Sequence, residues 1–319
     1  MIPVVDVRDL RVRFHGERDV YAVNGVDITL GPGEVLGLLG ESGSGKSVTL
    51  RALLRMLPPR HSNVAGSIRI AGDDVLAMND AAIERLRGGV AAMIFQEPML
   101  ALDPVFTIGH QIAETVVRHR GTSWARARAR ALEMLDSVRI PSARRRLDAY
   151  PHELSGGMRQ RAMIALALSC GPKLLLADEP TTALDSTVQI QILLLLRELQ
   201  RALGMAVIFV THDIGVAVEI SDRLAVMYGG RIVETGTLHE VVREPAHPYT
   251  RGLLASTVIG APRGQRLEAI SGTPPRLDAR PQGCSFAPRC KLADADCREC
   301  DIVSVVLSPS RSVRCRKVN

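Results

Sequence analysis

The chain has 319 residues, 46% of them hydrophobic and 23% charged, with a formal net charge of +6. This is the composition of a globular protein with a sizeable core, and it excludes disordered, collagen-like and low-complexity chains. No apolar run approaches the ~18 residues of a membrane span, and Met1–Leu10 shows no basic-then-apolar leader. Arginine far outnumbers lysine and is spread along the chain, a pattern of genome composition rather than of nucleic-acid binding.

Taken in chain order, Val4–Phe14 and Val20–Leu30 interleave β-branched and polar residues and predict strands. Gly31-Pro32-Gly33 is a turn, and Val35–Leu39 is a short buried strand. A glycine-rich run follows, then a helical pattern over Val48–Leu57, stopped by Pro58-Pro59. From Ala101 to Leu166 the pattern is mostly helical, broken at Pro104, Gly121 and Pro141. Leu174–Ala177 and Ala206–Val210 look like central parallel strands, with helical Val188–Leu203 between them. Strands alternating with helices predict an α/β fold with a parallel or mixed sheet. Beyond about Val242 prolines crowd the chain, and five of six cysteines fall between Cys284 and Cys315. The expected division is a main domain over 1–258, with a helical part at about 97–166, and a Pro/Cys-rich extension over 259–319.

Three stretches carry chemistry. Gly40-Glu41-Ser42-Gly43-Ser44-Gly45-Lys46-Ser47 fits G-x-x-x-x-G-K-S between a strand and a helix, the context this motif requires. Its glycines let successive N–H groups point at phosphates. Lys46 would reach the β- and γ-phosphates and Ser47 would ligate Mg²⁺. At the end of the apolar run Leu174–Ala177, Asp178 would hold Mg²⁺ through water and Glu179 would act as general base on the attacking water. Ligands gather at that end of strands in open α/β sheets. Leu154-Ser155-Gly156-Gly157-Met158-Arg159-Gln160 opens a further helix and presents another anion-binding N-terminus.

Leu-Ser-Gly-Gly followed by Gln is the signature of the ATP-binding-cassette family, which this chain resembles from about Val4 to Leu253. The resemblance implies a P-loop ATPase that works as a head-to-tail dimer. It places Ser155, Gly156, Gly157 and Met158 against the partner's ATP. Gln96 matches the Q-loop glutamine, Ala183-Leu184-Asp185 the D-loop, and His212 the switch histidine. Gly40–Val48 would surround ATP, and Phe14 lies where the family stacks an aromatic on adenine, with Tyr21 as the competing candidate. Glu179, His212, Gln96 and Lys46 form the implied catalytic set, and no catalytic position departs from the family pattern.

A narrower resemblance, to the oligopeptide/dipeptide/nickel importer ATPases, rests on Gly40–Thr49, Ala177–Asp185, His247-Pro248-Tyr249-Thr250 and Gly283–Cys290. It implies import powered at the cytoplasmic face of the inner membrane. The implied partners are two permeases, a second and non-identical ATPase, and indirectly an extracytoplasmic binding protein, with no nucleic acid. The cargo is expected to be a peptide, with a nickel chelate or another small solute as the alternative. A soluble cassette of translation or DNA repair is the rival reading. The arginines between Arg118 and Arg146 are its support, but a solvated helical face explains them better.

The tail spacing is Cys284-x5-Cys290-x6-Cys297-x2-Cys300-x14-Cys315. It fits neither the usual zinc pattern nor the compact ferredoxin run. Some members of the importer group have cysteines at Cys284, Cys290, Cys297 and Cys315, and the resemblance implies a [4Fe–4S] cluster there. Zn²⁺, or reduced thiols or a disulfide with no metal, are the alternatives, and Cys297 and Cys300 could exchange roles. Cys170 stands apart in an apolar stretch and reads as a small buried hydrophobe.

Overall fold

The computed structural model describes residues 2–182, 184–257, 269–278 and 282–318. The boundary expected near Ile259 and Ala183 of the D-loop lie outside the described residues.

The strands are β1 (Val5–Phe14), β2 (Val20–Leu30), β3 (Val35–Leu39), β4 (Ser62–Ile70), β5 (Asp73–Asp74), β6 (Ala91–Ile94), β7 (Leu174–Asp178), β8 (Ala206–Thr211), β9 (Arg223–Tyr228), β10 (Arg231–Thr237), β11 (Val305–Ser308) and β12 (Arg311–Val313). The helices are α1 (Lys46–Leu53), α2 (Asp80–Arg85), α3 (Pro98–Ala101), α4 (Ile108–Arg120), α5 (Trp124–Ser137), α6 (Ala143–Arg146), α7 (Gly156–Leu168), α8 (Ser186–Leu203), α9 (Ile214–Ile220), α10 (Leu238–Arg243), α11 (Pro248–Ala255) and α12 (Ala295–Glu299). The chain forms two compact units. One is centred on Ile70–Ile208, with Gly31–Glu34; the other combines Val5–Leu30, Val35–Arg69 and the chain from Phe209 onward.

In the first unit β6 runs parallel to β7, Ala91 opposite Leu174 and Ile94 opposite Ala177. Both strands are buried along their length, so they read as continuous apolar runs rather than alternating ones. The helices start where the sequence supplies a cap. The side chains of Thr107, Ser123, Ser155 and Asp185 accept backbone N–H groups at the starts of α4, α5, α7 and α8. Gly121 and Gly204 close α4 and α8 in the left-handed conformation. Cys170 is buried with Ala113, Val116 and Ala127, as a small hydrophobe would be.

In the second unit β1 pairs antiparallel with β2, and β3 runs parallel to β9. The Gly229-Gly230 turn joins β9 to β10, both glycines at positive φ, as a two-residue hairpin requires. The β12–β11 hairpin of the tail adds to the free side of β10, Glu234 opposite Val313. These short strands have no alternating pattern long enough to reveal them in the sequence. A shared core joins β9 and β10 to α9, α10 and α11, and Phe286 of the tail is part of it.

One expected element is corrected. Helix α1 does not span Val48–Leu57; it starts inside the glycine motif at Lys46 and ends at Leu53. Arg55 takes a left-handed backbone, φ +50°, so the helix stops before the prolines.

Candidate nucleotide site

The glycine loop leaves β3 and enters α1 through Gly45, the cap residue, at φ +103°. A Cβ on Gly45 would lie 2.4 Å from the Ala22 carbonyl oxygen, and one on Gly40 would lie 2.2 Å from that of Met227. Only glycine fits either place. Lys46 is buried, and its Nζ donates to the carbonyls of Gly40 at 2.8 Å and Glu41 at 3.0 Å. The lysine thus ties the mouth of the loop to its base. The Ser44 hydroxyl is buried with no hydrogen-bond partner among the described residues. Orphaned polar groups are rare in native interiors, and a phosphate oxygen is a natural partner for a hydroxyl in such a loop. Ser47 and Val48, the next two residues of α1, are half-buried. Phe14 ends β1 opposite Val20 and is half-buried, as is Tyr21. The Tyr21 N–H donates to the Leu277 carbonyl at 2.7 Å, so the tail lies against this candidate. His212 is exposed just past β8, ahead of Asp213, which caps α9.

The acidic pair belongs to the first unit. Asp178 is the last residue of β7 and is buried. Glu179 follows at φ +46°, a backbone a residue other than glycine adopts only under constraint. Its Oε2 accepts the Thr182 hydroxyl at 3.0 Å. Gln96 is exposed just past β6. Ser155 caps α7 by accepting the Met158 N–H. Ser155 and Gly156 are exposed, so this helix end is open to solvent. A Cβ on Gly157 would lie 2.9 Å from Val188, whose N–H donates to Asp185 at 3.0 Å. The signature glycine and the D-loop aspartate therefore meet through one residue of α8.

The sequence matches the ABC transporter family over residues 23–182. The chain belongs to that family. Residues 233–297 match the C-terminal region of oligopeptide/dipeptide transporters. A putative peptide import ATP-binding protein of Brucella melitensis is 52% identical over 308 residues, covering 92% of this chain and 91% of that protein. Another, of Brucella abortus, is 48% identical over 314 residues, covering 98% and 94%. Among solved structures, the ATP-binding cassette MJ0796, a dimer in a post-hydrolysis state with ADP and Pi, has a TM-score of 0.65 and 31% identity, covering 73% of this chain and 98% of that one. The cassette cbiO1 from Clostridium perfringens has a TM-score of 0.66 and 28% identity, covering 76% and 92%. The α/β P-loop fold expected from the sequence is the fold of these neighbours, and this cassette is an ATPase. Among its described residues no helix is long and apolar enough to cross a membrane.

The cassette's tail gathers its thiols. Cys284, Cys290, Cys297 and Cys315 line one cavity of about 20 Å³, together with His247 and Phe286. Cys300 is exposed and is not among the lining residues. Backbone N–H groups two residues on donate to the sulfurs of Cys290 and Cys315, both at 3.4 Å. Burial pushes the thiols of Cys284, Cys297 and Cys315 up. Among the described residues no three His, Cys, Asp or Glu side chains are gathered closely enough to hold a metal ion. A single Zn²⁺ at ~2.3 Å from each sulfur would need that closeness.

His247, read in the sequence only as part of a family motif, is 1% exposed beside this cavity. Its Nδ1 accepts the Tyr249 N–H at 3.0 Å, which leaves the proton on Nε2. Burial, and then the Arg251 charge, lower its pKa to about 4, against a smaller rise from the Arg314 backbone. Sequence reasoning missed Glu234 altogether. It is fully buried, accepts the Ala246 and His247 N–H groups, and pairs with Arg311 at 3.1 Å. No local motif marks it, because its partners lie far along the chain.

Proposed function

We propose that this cassette powers import of peptides through two membrane permeases, paired with a second and non-identical ATPase. The observation that carries the reading is the combination, in one chain, of a complete ATPase motif set and the oligopeptide/dipeptide C-terminal region over 233–297. The relatives named for peptide import extend over nearly the whole chain. Attachment is peripheral, at the cytoplasmic face of the inner membrane.

The roles follow from the residue chemistry. Backbone N–H groups of Gly40–Ser47 and the buried Ser44 hydroxyl bind phosphate oxygens, and Lys46 neutralises their charge. Ser47 and Asp178 hold Mg²⁺, and Gln96 orients metal and water. Glu179 takes the proton of the attacking water, and His212 contacts the γ-phosphate. Ser155, Gly156, Gly157 and Met158 close over the nucleotide of the partner subunit, with Asp185 at the same contact. The adenine stacks on Phe14. ATP drives transport because it binds the closed dimer more tightly than the open one; equal affinity would shift nothing. The main domain over 1–258 carries this chemistry and the extension over 259–319 carries the thiols.

For the tail we propose a [4Fe–4S] cluster on Cys284, Cys290, Cys297 and Cys315. Four thiols on one cavity, N–H donors to two of the sulfurs and the buried His247 beside them suit a group rich in sulfur acceptors. A 20 Å³ cavity holds about one water, so loading a cluster would spread these segments. The cluster's part is structural, pinning a proline-rich segment.

The test of transport is peptide uptake into proteoliposomes holding the two permeases, both ATPases and the binding protein. ATP-dependent accumulation of di- or oligopeptide, abolished by Glu179→Gln, is the expected result. Accumulation of a nickel chelate or sugar with no peptide uptake would sink the peptide assignment.

A further inference from the structure

The tail reaches the glycine loop through one side chain. Arg289 ends the short turn Ala287–Arg289, next to Cys290. Its guanidinium donates to both carboxylate oxygens of Glu41, at 2.8 and 3.1 Å. It also donates to the Tyr228 hydroxyl at 3.1 Å and to the carbonyls of Ile270 and Ser271 at 3.2 and 2.9 Å. The Arg289 side chain is 6% exposed and that of Glu41 25%, so this is a partly buried fork-to-fork pair, which fixes orientation as well as adding energy.

Glu41 is the second residue of the phosphate loop and is held from three sides. Arg289 grips its carboxylate, the Tyr249 hydroxyl accepts its N–H at 3.0 Å, and Lys46 donates to its carbonyl at 3.0 Å. Tyr228 and Tyr249 pack on each other and on Phe286, ring centroids 4.5 to 5.4 Å apart. Pro274 and Pro275 line a cavity of about 10 Å³ opposite Glu41–Ser44. The tail thus forms a wall behind the loop. A loop rich in glycine has many conformations to lose, and ordering it beforehand lowers the entropy lost when nucleotide binds. None of the roles assigned above uses Arg289.

We propose that Arg289 is a positioning residue for the phosphate loop: by clamping Glu41 it pre-orders Gly40–Ser47, so that the C-terminal extension sets the cassette's nucleotide affinity. The proposal rests on nucleotide binding at this loop and not on what the cysteines hold.

The experiment measures MgATP and MgADP binding, steady-state ATPase kinetics and thermal midpoint on the full-length protein. Arg289→Gln should raise both dissociation constants and the KM for ATP about tenfold, a modest share of binding energy, with kcat moved much less. Arg289→Lys, which keeps the charge but loses the fork, should recover part of the affinity. Glu41→Gln should weaken binding in the same direction, and the double variant should lose little more than either single one. A lower thermal midpoint with unchanged affinity would make Arg289 merely structural and overturn the proposal. Losses that simply add in the double variant would do the same. If Arg289→Gln does not fold, Arg289→Lys and Glu41→Gln decide, and unchanged affinity in both overturns it. Lys46→Ala is the control: normal nucleotide binding there would sink the reading of the loop itself, separately from that of Arg289.

Discussion

Glu179 combines an unusual backbone with the chemistry assigned to it. A non-glycine residue held at φ +46° costs about 1–3 kcal/mol, and such strain persists only where the surroundings impose it. Here it aims a half-buried carboxylate just past the end of β7, with Thr182 Oγ1 donating to it. Glu179→Gln keeps the shape and removes the base. It should slow hydrolysis by ~10²–10⁴, the usual value of a positioned base, and leave ATP binding intact. Phosphate release set against equilibrium nucleotide binding separates the two, and wild-type turnover would take Glu179 out of the role. Lys46→Ala should act earlier, at binding, since the ammonium also bridges the Gly40 and Glu41 carbonyls. Both residues were legible in the sequence because their motifs are local. Arg289 was not: its partner Glu41 lies 248 residues away, and nothing in Pro288-Arg289-Cys290 announces an ion pair.

At the scale of elements, the tail hairpin is tied to α10 by one carboxylate. Glu240 accepts the Thr237 N–H and hydroxyl, both at 2.8 Å, completing a capping box, and also accepts the hydroxyls of Ser308 and Ser310. The Thr237 backbone bond first, then its hydroxyl and those of Ser308 and Ser310, lower its pKa from 4.5 to about 2. The folded state therefore favours the carboxylate. Its contribution is complete above about pH 4.5 and fades as pH falls toward about 2. Glu240→Gln should lower the thermal midpoint near neutrality, and its gap to wild type should narrow as pH falls through that window. A gap independent of pH would mean that the carboxylate charge contributes nothing. The strands β1, β2, β3, β7 and β8 and helix α8 were visible as apolar or alternating runs long enough to declare a period. The β12 strand is three residues long and is held between β11 and the edge of β10, and the pairing with β10 is tertiary information.

At the scale of the whole chain, the family follows from motifs spread over its length, whereas the thiols depend on which distant segments fold together. The sequence left Cys297 and Cys300 interchangeable. The structure puts Cys297 in the cavity with Cys284, Cys290 and Cys315, and leaves Cys300 outside. The proposed cluster is tested by the metal content of the intact protein. Protein purified without oxygen should carry about four irons and four sulfides, with a broad brown absorbance. Substituting Cys297 by Ser should remove most of the iron, while Cys300→Ser should leave it unchanged, a contrast that a merely adventitious iron load would not produce. One zinc without colour would instead mean that the thiols close in around a single ion. Absence of both metals would leave free thiols and remove the cluster. That last outcome would still leave the tail gripping the phosphate loop, because the Arg289 guanidinium is held by Glu41, Tyr228 and the Ile270 and Ser271 carbonyls and by no thiol.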